Sequence, residues 1–248
     1  MLIGNPSNFA IESCISIAYE ELGARALGFF VIHIGGRCYG VREPDATWMA
    51  NSFDEVERRI ARRGKHTAPF ATELNAGKII DAARDADYAP DQESKLFLGI
   101  PRQEFSNYFS SDRLTWAPDG DEAFDDGSNV LHFDVDNRVR LIGFRLKRCA
   151  NDYPHDPAIP SVHECVHEWE FHRYQHAPNS LSDIWLQADE FYHILQTWRD
   201  AFEAEWRSAP KLFKAHEPDE YHEQHLAEII RLAELSESLR QSRGGARN

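Results

Sequence analysis

The chain has 248 residues, 42% of them hydrophobic and 12% aromatic, and a formal net charge of -14. That is long enough for a sizeable core and too apolar for disorder. So acidic a surface excludes nucleic-acid phosphates and anionic membranes as partners and favours basic proteins, although solubility alone accounts for it equally well.

The N-terminus has no basic region before Arg25, which argues against a signal peptide, and no apolar run is long enough to span a bilayer. The four cysteines, Cys14, Cys38, Cys149 and Cys165, are scattered without a C-x-x-C. They read as reduced thiols, mostly buried as small apolar groups, and a cytoplasmic location is expected.

The first forty residues read as β. "FAIESCISIAYE" alternates through Ile11, Ser13, Ile15 and Ile17. Phe29 to Ile34 and Arg37 to Val41 flank Gly35-Gly36, which predicts a tight hairpin because glycine supplies positive φ. Pro44 breaks the pattern. A helix follows, with Ser52 as N-cap and Glu55 as its capping-box partner. Phe53, Val56, Ile60 and Ala61 form its apolar face, and Arg58, Arg59, Arg62 and Arg63 read as a solvated face opposite. "TELNAGKIIDAARDADY" predicts a second helix and "IPRQEFSNYFS" a third, with Pro101 in its first turn and Phe105, Tyr108 and Phe109 inward.

From Asp119 to Asp136 there are seven acidic residues and no lysine or arginine. Turn signals at Asp119-Gly120 and Asp126-Gly127 frame the stretch, and "VLHFDVDNRVRLIGF" predicts a second antiparallel hairpin. Beyond two proline-rich connectors comes a short strand. A long amphipathic helix then steps through Phe191, Leu195, Trp198, Phe202 and Trp206. A polar helix is expected after Pro218. The fold class is therefore α+β: an antiparallel sheet built from hairpins with packed helices. Residues 1–207 form the main domain and residues 208–248 a C-terminal helical extension.

One motif invites chemistry. "SVHECVHEWEF" contains H-E-x-x-H. On a helix, His163 and His167 share a face, Glu164 is the general base and Glu190 is a candidate third ligand, which together would make a zinc hydrolase. On a strand the same histidines lie roughly 13 Å apart, too far to share a metal. Charged Glu168 and the missing H-x-x-G-x-x-H continuation also count against zinc. Incidental histidines are the better reading, here and for the wider group His163, His167, His172 and His176. "DGDEAFDDG" fails the EF-hand pattern, since Phe124 stands where glycine is required. No phosphate loop, G-x-S-x-G or obvious cysteine nucleophile motif is present. No metal and no cofactor are expected.

Several blocks resemble the bacterial polymorphic-toxin immunity proteins of the family called immunity protein 42. They are "IGNPSNFAIE", "GGRCYGVREPDAT", "SFDEVERRIARRGKHTAPFA", "WAPDGDEAFDDGSNVLHFDVDNRVRLIGF" and "IWLQADEFYHILQTWRDAFEAEW", in order across most of residues 1–207. The resemblance implies a small cytosolic protein that binds and neutralises a toxin domain, without enzymatic activity. A basic nuclease domain suits the charge. The expected toxin contacts are Asp119, Asp121, Glu122, Asp125 and Asp126, with Trp116 as an aromatic anchor. The competing reading of that loop is simple hairpin closure. An acidic adaptor that uses the C-terminal helix is the remaining alternative.

Overall fold

The computed structural model describes residues 1–88, 95–109, 114–116, 122–148, 174–176 and 179–212. From the N-terminus come strands β1 (Leu2–Gly4), β2 (Phe9–Tyr19), β3 (Ala26–Ile34), β4 (Arg37–Tyr39) and β5 (Thr47–Trp48), then helix α1 (Met49–Ala61). Helix α2 (Ala76–Tyr88), strands β6 (Leu96–Phe97) and β7 (Ile100–Pro101) and helix α3 (Arg102–Ser106) form a middle group. Strands β8 (Thr115–Trp116), β9 (Ser128–Val135), β10 (Arg138–Arg148), β11 (Tyr174–His176) and β12 (Ser182–Gln187) follow, then helix α4 (Ala188–Ser208) and strand β13 (Lys211–Leu212).

The first sheet has six strands, with β1 to β4 side by side, β5 beside β3 and β13 parallel to β2. The second has five, ordered β11-β10-β9-β8 with β12 also on β10. All other pairings in the two sheets are antiparallel. Gly35 and Gly36 turn β3 into β4 with φ of 58° and 81°, as the hairpin signal predicts.

Period-two alternation divides the chain between two cores. On β2 and β3, Phe9, Ile11, Phe30, Ile32 and Ile34 face the apolar stripe of α4, where Phe191, Leu195, Trp198 and Phe202 are fully buried. The Trp198 indole N–H donates to Ser13 Oγ at 2.9 Å, so its polar end is satisfied inside the core. Val130, Val139 and Leu141 of the second hairpin join the same cluster. Their neighbours Leu131, Phe133, Ile142 and Phe144 point the other way, into a second core with Phe70, Ile79, Ile80 and Phe105. The β9–β10 hairpin is therefore apolar on both faces. Each such side chain contributes about 1.5–3 kcal/mol on burial, so these rows dominate the fold's stability.

Three local expectations are corrected. Helix α1 begins at Met49 with Trp48 at the N-cap position, so Ser52 lies inside the helix, buried, and does not cap it. Arg59 is not solvated: it is 0% exposed, because its side chain reaches between the helix and the second sheet. Cys38 is exposed rather than buried. The polar helix expected after Pro218 lies outside the described residues.

Candidate functional site

The densest polar chemistry among the described residues is buried. Asp134, near the end of β9, shares the inward face of that strand with His132. His66, in the loop after α1, clamps onto it. The His66 backbone N–H donates to Asp134 Oδ2 at 3.0 Å, its ring Nδ1 lies 2.9 Å from the same oxygen, and the Asp134 N–H returns a bond to His66 O at 2.7 Å. From the first turn of α4, the Tyr192 hydroxyl donates to Asp134 Oδ1 at 2.9 Å. His132 stacks on His66 with centroids 4.3 Å apart, and its Nε2 lies 3.5 Å from Asp134 Oδ1.

Arg59 closes the network from α1. It donates to His132 Nδ1 at 3.0 Å, bonds the Thr115 carbonyl, pairs with Glu55 one turn back at 2.8 Å and lies over the Trp116 ring. Because Arg59 can only donate, His132 Nδ1 must accept, so the proton of the neutral ring sits on Nε2 and faces Asp134. His66 Nδ1–H points at the same carboxylate, leaving His66 Nε2 buried without a partner.

Burial sets the protonation states. It pushes His132 down to about 3 and lowers His66, against the hydrogen bonds to Asp134 that favour the charged rings. Burial alone would raise Asp134, but hydrogen bonds from His132 and His66 outweigh it and hold the carboxyl well below its usual range. Tyr192 is raised by burial and by the Asp134 charge. Burial lowers Arg59 while Glu55 opposes that shift, and the guanidinium remains a cation. The resting state is thus one carboxylate, two neutral imidazoles, one phenol and an arginine–glutamate pair.

His66, His132 and Asp134 place their donor atoms within 4.8 Å of one another, a spacing a metal ion could bridge. The tautomers argue otherwise. Both ring nitrogens that face Asp134 carry protons in these tautomers, and a cation there would sit near the Arg59 guanidinium, which bonds His132. With His66, His132, Arg59 and Tyr192 each at 1% exposure or less, the centre also offers no approach to a substrate. It ties α1, the following loop, β9 and α4 together, which makes it a structural clamp.

The residues expected from sequence to meet a partner separate into three groups. Trp116 is corrected: at 1% exposure it is a core side chain packed against Phe9, Phe30 and Phe191, not a surface anchor. Asp119 and Asp121 lie outside the described residues, and Glu122 begins a 3-10 turn, Glu122–Phe124. Asp125 and Asp126 are exposed on the following turn. Asp126 Oδ1 accepts the Ser128 N–H at 2.9 Å, and its other oxygen pairs with Arg145 at 3.0 Å, so this residue does close the hairpin. The Val41 N–H bonds Ala123 O at 2.7 Å, which brings the segment with exposed Glu43 and Asp45 alongside the turn.

His163, Glu164, His167 and His172 lie outside the described residues, and Glu190 is exposed at the start of α4. Among the described residues no helix is long and apolar enough to cross a membrane. The polar clamp itself was missed by sequence reasoning. The available signal was "VLHFDV", which puts His132 and Asp134 in the inward register of Val130.

Comparison with known proteins gives two matches. The model of a family described as immunity protein 42 matches residues 1–201. Among solved structures, the CdiI protein of Burkholderia dolosa is similar at 16% identity, covering 81% of this chain and 99% of its own, with a TM-score of 0.44. No curated protein matches the sequence.

Proposed function

The chain belongs to the immunity protein 42 family, and on that premise we propose that it neutralises a cognate toxin domain by binding it one-to-one inside the producing cell. The observation that carries this reading is the family match across residues 1–201. Inhibition is by occlusion, without turnover by the immunity protein. The charge of -14 favours a basic target, and a nuclease is such a class because a surface that grips nucleic acid must be cationic.

The contact surface is the acidic edge formed by the turn with Asp125 and the neighbouring segment with Glu43 and Asp45; Asp119, Asp121 and Glu122 are the further contacts expected from sequence. Asp126 serves mainly to hold the turn in place. Trp116 packs in the core and is not a contact residue.

The test is co-expression with the toxin domain encoded beside the gene, scored by growth, with binding measured by calorimetry on the purified pair. Protection with one-to-one binding is expected; unprotected cells and no measurable heat would sink the proposal. Asp125→Lys is expected to slow association about threefold at low salt and little at high salt, since rim charges act through screened steering.

A further inference from the structure

Strands β2, β3 and β4 bring together three residues that the clamp does not use. His33 on β3 is directly opposite Cys38 on β4, and Ala10 on β2 is opposite His33 from the other side. Glu12, two residues along β2 from Ala10, shares that face by alternation. Cys38 Sγ lies 3.4 Å from His33 Nδ1, and His33 Nε2 lies 3.0 Å from Glu12 Oε2. The second oxygen of Glu12 is held by Arg42. The imidazole and carboxylate side chains are only 10% and 16% exposed, whereas Cys38 is open to solvent.

This is a thiol, a base and a group that orients the base, in line. The Glu12 carboxylate accepts the Nε2–H of His33, and that choice of tautomer leaves Nδ1 free to accept the proton of the thiol. The backbone at Cys38 is held in place: Arg145, itself paired with Asp126, donates to the Cys38 carbonyl at 3.0 Å. An exposed thiol beside a histidine that a carboxylate orients is where nucleophilic cysteines are found.

We propose that Cys38 is a reactive thiol, activated by His33 and Glu12, and that it is a modification site for small hydroperoxides. In the step, the thiol proton passes to His33 Nδ1 and the sulfur attacks the distal peroxide oxygen. An S–O bond forms and the O–O bond breaks. The leaving oxygen takes the proton back from His33, giving a sulfenic acid and an alcohol or water. Sulfur is oxidised by two electrons and the peroxide is reduced by two. Cys14, the other described cysteine, pairs with Phe29 four residues further along the sheet, roughly 13 Å away, too far to resolve the product as a disulfide.

The test uses the full-length reduced protein at pH 7 in competition with free glutathione for iodoacetamide, with the Cys38 peptide quantified by mass spectrometry. Removal of the thiol proton by His33 as the sulfur attacks should make Cys38 react about tenfold faster than glutathione, which has no such base. His33→Gln should remove that advantage, and parity between wild-type Cys38 and glutathione would overturn activation whether or not the variant folds. Hydrogen peroxide with dimedone should then label Cys38 in the wild type. Fast alkylation without a dimedone adduct would overturn the peroxide assignment.

Discussion

Two histidine–carboxylate systems lie on the two sheets, built from the same side chains and put to different ends by burial. Around Asp134, His66 and His132 are sealed in the core, and the hydrogen bonds from His66 and Tyr192 hold chain segments together. Around Glu12, one histidine bridges a carboxylate to an exposed thiol. Desolvation decides between them. In the core it forbids charged imidazole and makes each unmatched polar atom expensive, so the network is structural. At Cys38 the sulfur is open to water, which tolerates a transient charge on it, so the same pairing can activate.

The largest expected effect tests the buried side. Arg59→Ala leaves His132 Nδ1 and the Thr115 carbonyl without their donor in the core and leaves Glu55 with Arg58 as its remaining ion-pair partner. Breaking a buried ion pair from one side costs about 3–5 kcal/mol. Urea unfolding followed by tryptophan fluorescence measures it, and a loss below about 1 kcal/mol would show that the centre is not the sealed network described here.

Acid is the next largest perturbation. His132 and His66 have lower pKa values folded than unfolded, so below about 6.5 the unfolded chain binds more protons. Their stabilisation is therefore fully present above that pH and is lost as pH falls; for His132 the loss continues down to about 3. Between pH 7 and pH 5, His132 alone removes about 2 kcal/mol, and His66 adds to it. Asp134 acts in the same direction at lower pH, because its folded value is also depressed. A flat stability profile between pH 7 and pH 5 would mean that the imidazoles are already charged in the core.

Tyr192→Phe is a smaller probe of the same centre. It removes one donor from Asp134 while leaving the two bonds from His66, and a hydrogen bond to a charged group contributes about 1.5 kcal/mol or somewhat more. The urea midpoint should fall without a change in the slope of the transition.

Much of the fold was legible because it rests on short-range periodicity. The alternation of β2 and β3, the glycine turn after Ile34, the β9–β10 hairpin and the apolar stripe from Phe191 to Trp206 all stand as expected from sequence. The fate of polar residues was not legible. Arg59 falls on the polar side of the apolar pattern of α1, yet the second sheet covers that side. His66 and Asp134 are far apart in the chain, so only tertiary structure pairs them. Trp116 looked available because it borders an acidic stretch, but its strand, β8, pairs beside β9 and its indole is buried in the core. The His33–Cys38 contact sits at an intermediate level: a two-residue turn at Gly35-Gly36 fixes that register from sequence, but Glu12 arrives from a third strand that the hairpin does not specify.

The smallest expected effect on stability isolates the surface system. Glu12→Gln leaves the geometry of β2 intact and removes a charge whose partners are His33 and the exposed Arg42. Glutamine keeps an acceptor for His33 and Arg42, so the loss should be no more than that of an ordinary hydrogen bond, about 1 kcal/mol. Cys38 alkylation should nevertheless slow, because a glutamine amide satisfies His33 Nε2 without stabilising the imidazolium that forms when the thiol loses its proton. Stability and reactivity thus separate at Glu12, whereas at Asp134 any substitution strong enough to change the histidines also loosens the fold. A Glu12→Gln variant that lost several kcal/mol would place this carboxylate with the buried clamp and erase the distinction between the two sites.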